Sequence, residues 1–303
     1  VSGGDPAKSG EFPWMARIDL PKGKMCGGVL VSSNQVLTAA HCLEGFSSSD
    51  LQKDAEIVLG STDMKETSCA SCEAYGIDDF LIHPGYKASG FDPDSSDKVT
   101  KDIALITLDG STCMKPARIS KGSPRPGAKG VVMGWGETET SSSSSSLQKT
   151  TLSVLEQKEC SGMKPKEFFD PKSSICSGPD EDRPNLPNGV YTSACAGDSG
   201  GPFMDFKSDS TLWGIVSYSI KTSPSGSCGD KRYTVLTSVD DSADWIQAQL
   251  TRDGRCSDGR PSNGGGQRPP QNDNNNNSGP GSNRPGGGGG GGRPGNKPGR
   301  RNA

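Results

Sequence analysis

The chain has 303 residues and a net charge of −3. Hydrophobic residues make up 30%, low for a chain folded throughout, and no apolar run nears the roughly 18 residues of a membrane-spanning helix. Its acidic balance suits neither nucleic acid nor any other phosphate backbone.

The first 256 residues read as β-rich. Short apolar runs recur between Gly, Pro, Asn and Ser clusters: Gly27–Val31, Gln35–Ala39, Glu56–Leu59, Ile103–Leu108, Gly130–Met133, Leu212–Ser219 and Tyr233–Val239. Repeated short strands with turn signals predict a barrel or sandwich. The six-serine run Ser141–Ser146 reads as an exposed loop. One helix is predicted, over Asp240–Leu250. It opens on Asp240-Asp241-Ser242 as a capping run and spaces Trp245, Ile246, Ala248 and Leu250 for one face. Residues 257–303 form a second, low-complexity part of Gly, Asn, Pro, Arg and Ser. Such a segment buries too little apolar surface to offset its ordering entropy, so a disordered tail is expected. Seven basic and two acidic residues lie in it, leaving the first 256 residues at −8. The tail, at +5, reads as a solvated, flexible extension, with anionic surfaces as the alternative partner of its basic residues. Asn276-Asn277-Ser278 fits a glycosylation acceptor.

Ten cysteines sit in the first 256 residues beside only two histidines. The spacings are mostly long, and Cys69-x-x-Cys72 lacks a second matching pair. That excludes a zinc framework and points to disulfides in an oxidising compartment, hence to a secreted, extracellular protein. The opening at Val1 reads as a processed mature form.

Three residues suit nucleophilic chemistry. Ser199 lies in Cys195-Ala-Gly-Asp-Ser-Gly-Gly-Pro202, where glycines permit a tight turn and leave a hydroxyl reachable. The N–H groups of Gly197 and Ser199 can then converge on one point, as an oxyanion requires. Of the two histidines, His83 sits in a His-Pro-Gly-Tyr turn, whereas His41 follows an apolar strand in Thr-Ala-Ala-His-Cys. His41 is thus the candidate base. Asp102 opens Asp-Ile-Ala-Leu-Ile, at the edge of a buried strand, where an acid demands a partner. Asp92, Asp94 and Asp97 lie in a polar loop and read as solvated.

These motifs, in the order His, Asp, Ser, resemble the trypsin/chymotrypsin family of serine proteases. So do Val1-Ser-Gly-Gly4, Phe12-Pro-Trp14, Cys26-Gly-Gly28 and Gly134-Trp-Gly136. The resemblance implies an all-β fold of two six-stranded antiparallel β-barrels with a C-terminal α-helix, over residues 1–256. It also implies peptide hydrolysis through an acyl-enzyme on Ser199, with His41 moving the proton and Asp102 orienting His41. None of the three is missing, as one would be in a family member that keeps the fold and has lost its activity. In this family a freed α-amino group pairs with the acid beside the nucleophile, here Val1 with Asp198. The second position is usually Val and here is Ser2, a more polar residue for a buried seat. Further implications are the disulfides Cys26–Cys42, Cys160–Cys176 and Cys195–Cys228. Cys69, Cys72, Cys113 and Cys256 can pair in three ways, with Cys69–Cys72 and Cys113–Cys256 preferred.

Trypsins carry an aspartate six residues before the nucleophile; here that position is Ser193. The pocket strand is Ser217-Tyr218-Ser219 and the facing wall position is Thr234. These residues imply an elastase-like slot that takes small or medium apolar side chains rather than Arg or Lys, unless the alignment shifts and brings Asp230 into it. Ser61 replaces the usual first acid of the family's calcium loop, although Asp63, Glu66 and Glu73 are near. No metal and no cofactor are expected. Expected partners are protein or peptide substrates and protein inhibitors, bound by a monomer.

Overall fold

The structure is a computed structural model. It describes residues 1–250 apart from 68, 70, 88–97, 163–168, 183–185, 187–188, 209 and 223–224. The predicted disordered tail, the glycosylation triplet and Asp92, Asp94 and Asp97 lie outside the described residues.

In chain order the first half holds β1 (Asp5–Pro6), β2 (Met15–Leu20), β3 (Lys24–Leu30), β4 (Gln35–Thr38), α1 (Ala40–Leu43), α2 (Ser48–Asp54), β5 (Glu56–Leu59), β6 (Glu73–Tyr75), β7 (Ile77–Ile82) and β8 (Ala104–Leu108). The second half holds β9 (Arg118–Ile119), β10 (Lys129–Gly134), β11 (Gln148–Val154), α3 (Gln157–Ser161), β12 (Ser174–Pro179), β13 (Pro202–Asp205), β14 (Thr211–Lys221), β15 (Arg232–Ser238) and α4 (Ala243–Gln249). Each of the seven apolar runs lies in or overlaps a strand.

The second half closes into a six-stranded antiparallel barrel. Its order is β11-β10-β13-β14-β15-β12, and β12 pairs back onto β11 through Leu152–Val154 and Ser177–Pro179. β1 adds to β11 from outside, and β9 pairs parallel to β14. The first half follows the order β6-β5-β2-β3-β4-β8-β7. It differs from the expected second closed barrel: it is a half-barrel, with no closing ladder among the described residues. The reason is local. β6 has three residues, and β7 turns most of its side chains to solvent or the half-buried rim. Helix α2 attends to β7, where Gln52 Nε2 donates to the Asp78 carbonyl at 2.6 Å, a common way to blunt a strand edge. Ser47 caps α2 reciprocally with Asp50.

Apolar side chains join the halves. Met15, Ile18, Leu30, Leu37 and Ile57 of the half-barrel share one buried cluster with Met133, Leu212 and Ile215 of the barrel. A second cluster, including Val132, Leu152, Phe203 and Leu236, fills the barrel interior. The backbones also meet: the N–H of Gly27 in β3 donates to the Ser199 carbonyl at 2.8 Å. The Ser141–Ser146 loop is largely exposed as predicted, but it also pins the halves, since the N–H of Met64 donates to the Ser145 carbonyl at 2.8 Å.

The terminal helix begins later than its sequence predicts. Asp240 and Asp241 form the preceding turn, and Ser242 occupies the N-cap without a side-chain capping bond. Asp241 instead forms an ion pair with Lys101. Four expected disulfides are present: Cys26–Cys42, Cys69–Cys72, Cys160–Cys176 and Cys195–Cys228. Cys113 is disulfide-bonded, and its expected partner Cys256 lies outside the described residues.

Cys26–Cys42 spans 16 residues and ties β3 to α1, the element that bears His41. Replacing both cysteines with alanine is expected to cost about 3 kcal/mol by the loop-entropy relation. Urea unfolding of the paired variants would measure it, and an unchanged midpoint would refute the estimate.

Candidate active site

His41 is presented by α1, a single turn that directly follows the buried strand β4. Its backbone N–H donates to Asp102 Oδ1 at 2.9 Å, and its ring Nδ1 lies 2.8 Å from Asp102 Oδ2. The carboxylate therefore fixes both the main chain and the ring of the same residue.

Asp102 is 1% exposed. Two further hydroxyls hold its residue in place: Ser217 Oγ donates to Oδ2 at 2.5 Å, and Thr237 Oγ1 donates to the Asp102 carbonyl at 2.9 Å. Burial by itself pushes this carboxyl upward. The His41 charge and the hydrogen bonds from His41 and Ser217 outweigh that push and hold it below the usual carboxylate range. Ser217 was expected only as a pocket wall. It sits where the β14–β15 register shifts between Val216 and Tyr218, and such a bulge re-aims a side chain in a way that alternation along the strand does not reveal.

The loop around Ser199 is held by alternate backbone groups. The N–H of Asp198 donates to the Cys195 carbonyl, that of Gly200 to Val216 and that of Gly201 to Asp198, at 2.8–3.1 Å. Among the described residues the N–H groups of Gly197 and Ser199 donate to no backbone carbonyl. Gly200 has φ +78°, and a Cβ there would run into Thr38 Oγ1 and the Gly27 carbonyl. Only glycine fits so close to β3 and β4 in that conformation.

Asp198 is fully buried and serves as the hub of the loop. Its Oδ2 accepts from the Val1 α-amino group at 2.6 Å and from the Cys195 N–H at 2.8 Å, and its Oδ1 accepts from the Gly136 N–H at 3.0 Å. Val1 also donates to the Glu137 carbonyl at 2.6 Å. Gly134 must be glycine because a Cβ would strike Asp198 Oδ1. Ser2 pairs with Ser193 through two backbone hydrogen bonds, but its hydroxyl is buried with no partner among the described residues.

A cavity of about 360 Å³ is lined by both His41 and Ser199, together with the expected wall residues Ser217, Tyr218 and Ser219. Ser193 and Thr234 do not line it. Both are buried behind the wall: Ser193 Oγ donates to the Cys228 carbonyl at 3.3 Å, and Thr234 Oγ1 accepts from the Ala194 N–H at 3.3 Å. Asp230 does not line it either, since its carboxylate accepts from Ser225 Oγ and from the Ser227 N–H. The lining includes residues that sequence reading missed: Glu137, Lys221, Gly226 and Arg232. His83 is remote from this chemistry and stacks on Trp245 with ring centroids 4.8 Å apart. In the loop after Gly60, Ser61 Oγ donates to the Asp63 carbonyl at 2.7 Å, and Glu73 accepts from the Tyr75 hydroxyl at 2.5 Å.

Residues 1–246 match the family described as Trypsin. The chain is 30% identical to CLIP domain-containing serine protease B4 of Anopheles gambiae over 275 residues, covering 82% of this chain and 70% of that protein. It is 31% identical to trypsin delta of Drosophila melanogaster over 228 residues, covering 72% and 78%. It is also 31% identical to the calcium-dependent serine proteinase of Mesocricetus auratus over 266 residues, but it spans only 34% of that protein. Among solved structures, mouse neuropsin, a serine protease, superposes with a TM-score of 0.64 at 24% identity over 83% of this chain and all of that one, a likeness of fold. The chain belongs to the trypsin family of serine endopeptidases.

Proposed function

We propose that the protein is a secreted endopeptidase that works through an acyl-enzyme on Ser199. Its bond preference is for small or medium apolar residues rather than Arg or Lys. The observation that carries the reading is the meeting of Ser199 and the Asp102-held imidazole of His41 on one cavity.

In this reading Ser199 Oγ attacks the scissile carbonyl while its proton passes to His41 Nε2. Asp102 accepts from Nδ1, keeping Nε2 as the acceptor and stabilising the imidazolium that forms. The carbonyl oxygen becomes an oxyanion between the Gly197 and Ser199 N–H groups, which the loop leaves uncommitted. The protonated His41 then gives its proton to the leaving amine. Water repeats the sequence on the acyl-enzyme and restores the serine. Val1 and Asp198 act earlier, by holding the loop that aims those N–H groups.

Rejection of Arg and Lys is supported by the absence of an acidic side chain at Ser193, by the turning away of Asp230, and by Lys221 and Arg232, which lie on the lining with Glu137. Four described disulfides favour an oxidising location. No helix among the described residues is long and apolar enough to cross a membrane.

Ser199→Ala is expected to abolish both cleavage and labelling by a serine-reactive phosphonate. Asp102→Asn should lower turnover by about 10⁴, a magnitude borrowed from well-studied members of the family. Retention of near-full activity in either variant would overturn the assignment.

Asp102 also sets an acid limit. Its folded pKa lies below the ordinary value of about 3.9. Its contribution to stability is thus complete above that value and lost as pH falls through the lower folded one. Urea midpoints between pH 7 and pH 2 should therefore fall more steeply in Ser199→Ala than in the double variant that also carries Asp102→Asn. Parallel declines would refute the linkage.

Ser2→Ala removes a buried hydroxyl that lacks a partner. Such a group costs about 1–3 kcal/mol, so the variant should melt higher and keep its N-terminus seated more firmly. A lower melting temperature would refute the cost assigned to that hydroxyl.

A further inference from the structure

The cavity beside Ser199 carries positive charge that the proton-transfer machinery does not use. Arg232 and Lys221 both line it. They are direct partners in the β14–β15 ladder, so their side chains rise on one face of an antiparallel pair. Like charges placed opposite one another repel, which leaves the two cations in want of an anion between them.

Arg232 is 4% exposed. One terminal nitrogen, Nη2, donates to the carbonyls of Gly226, at 3.1 Å, and Ser227. Its Nε is buried and has no acceptor among the described residues. A buried N–H of a charged group left without a partner is expensive, and the residue that bears it lines a cavity of ligand size rather than a packed core. Lys221 folds over the same loop: a Cβ added at Gly226 would meet its Cδ at 2.9 Å and its Nζ at 3.1 Å. Among the described residues of the lining Glu137 is the one acid. Burial pushes the Arg232 pKa down, with Glu137 and Asp230 opposing it. Yet neither acid accepts a hydrogen bond from the guanidinium among the described residues, whose acceptors are the two loop carbonyls. Guanidinium remains charged at any working pH. A planar fork of N–H donors in a desolvated slot suits a carboxylate.

We propose that Arg232, supported by Lys221, makes this pocket a receptor for a carboxylate, so that the enzyme cleaves preferentially after Asp or Glu. The inference rests on the reading of Ser199 as the nucleophile beside the same cavity. It keeps the exclusion of Arg and Lys and places acidic residues ahead of the apolar ones. The recognised group is the side chain preceding the scissile bond, not a chain terminus.

The test is a set of peptides with blocked C-termini that differ only in the residue before the scissile bond: Asp, Glu, Ala, Val, Lys or Arg. Specificity constants are normalised to sites titrated by the phosphonate. The expected result is cleavage after Asp or Glu at least about 10-fold above Ala, with the acidic-to-Ala ratio falling by about 100-fold in Arg232→Met. Lys221→Ala should lower that ratio by a smaller factor, and Arg232→Lys should restore it only in part, because a point charge does not supply the fork. Cleavage after Ala or Val that equals or exceeds cleavage after Asp and Glu overturns the proposal and leaves the serine endopeptidase reading intact. Preferred cleavage after Lys or Arg overturns both the proposal and the specificity reading. The wild-type panel decides between these outcomes even where a variant fails to fold.

Discussion

Val1 and Asp198 form an ion pair 2.6 Å long with neither side chain exposed to solvent. Removing two charges from water costs several kcal/mol per ion, and attraction repays that cost only when the remaining polar capacity is also satisfied. Here it is. Asp198 accepts two backbone N–H groups besides the amine, and the amine has a second acceptor in the Glu137 carbonyl. The donors come from three stretches of chain: the terminus, the Gly134-Trp-Gly136 segment after β10, and the Cys195 end of the Ser199 loop. One carboxylate thereby fixes the position of all three. If the amine were lost, a buried charge would stand unpaired within the loop that carries the Gly197 and Ser199 N–H groups.

The same logic places the imidazole. Asp102 is buried, so it needs partners, and every partner it takes is useful. His41 donates to it from ring and backbone, and Ser217 donates from the barrel side. The segment before β8, the turn after β4 and the bulge in β14 therefore converge on one carboxylate. Two halves that share an apolar cluster are brought to a fixed distance, and the cavity lies where their loops meet. Rigid β-structure supplies the frame, while short irregular segments supply the chemistry.

Much of this was legible in the sequence because motif residues must satisfy local geometry. Gly200 is forced by a positive φ against β3, and Gly134 by contact with Asp198; such positions leave a readable trace. The strand runs were legible through their apolar content. Half-barrel closure was not, because it depends on whether two distant edges meet, and β6 is too short and β7 too exposed to declare it. The role of Ser217 toward Asp102 was hidden for a related reason: a bulge breaks the alternation from which side-chain direction is read. Ser193 and Thr234 occupy the right places along the chain, yet their hydroxyls turn to Cys228 and Ala194. Counting residues gives position without orientation.

Arg232 shows the limit most sharply. In sequence it belongs to Gly-Asp-Lys-Arg, a composition that reads as a solvated turn. Only the pairing of β15 with β14 sets it opposite Lys221, and only the fold of the 225–227 loop takes two carbonyls to its guanidinium while leaving Nε without an acceptor. A buried cation is tolerated when its charge has something to meet. Within the described residues that requirement is met in part by carbonyl dipoles and by two acids that do not touch it. The same residue lines the cavity beside Ser199. In this pocket, charge selectivity is therefore set by the strand that forms its far wall. It does not come from Ser193, to which the sequence pattern of the family directs attention first but which is buried behind the wall.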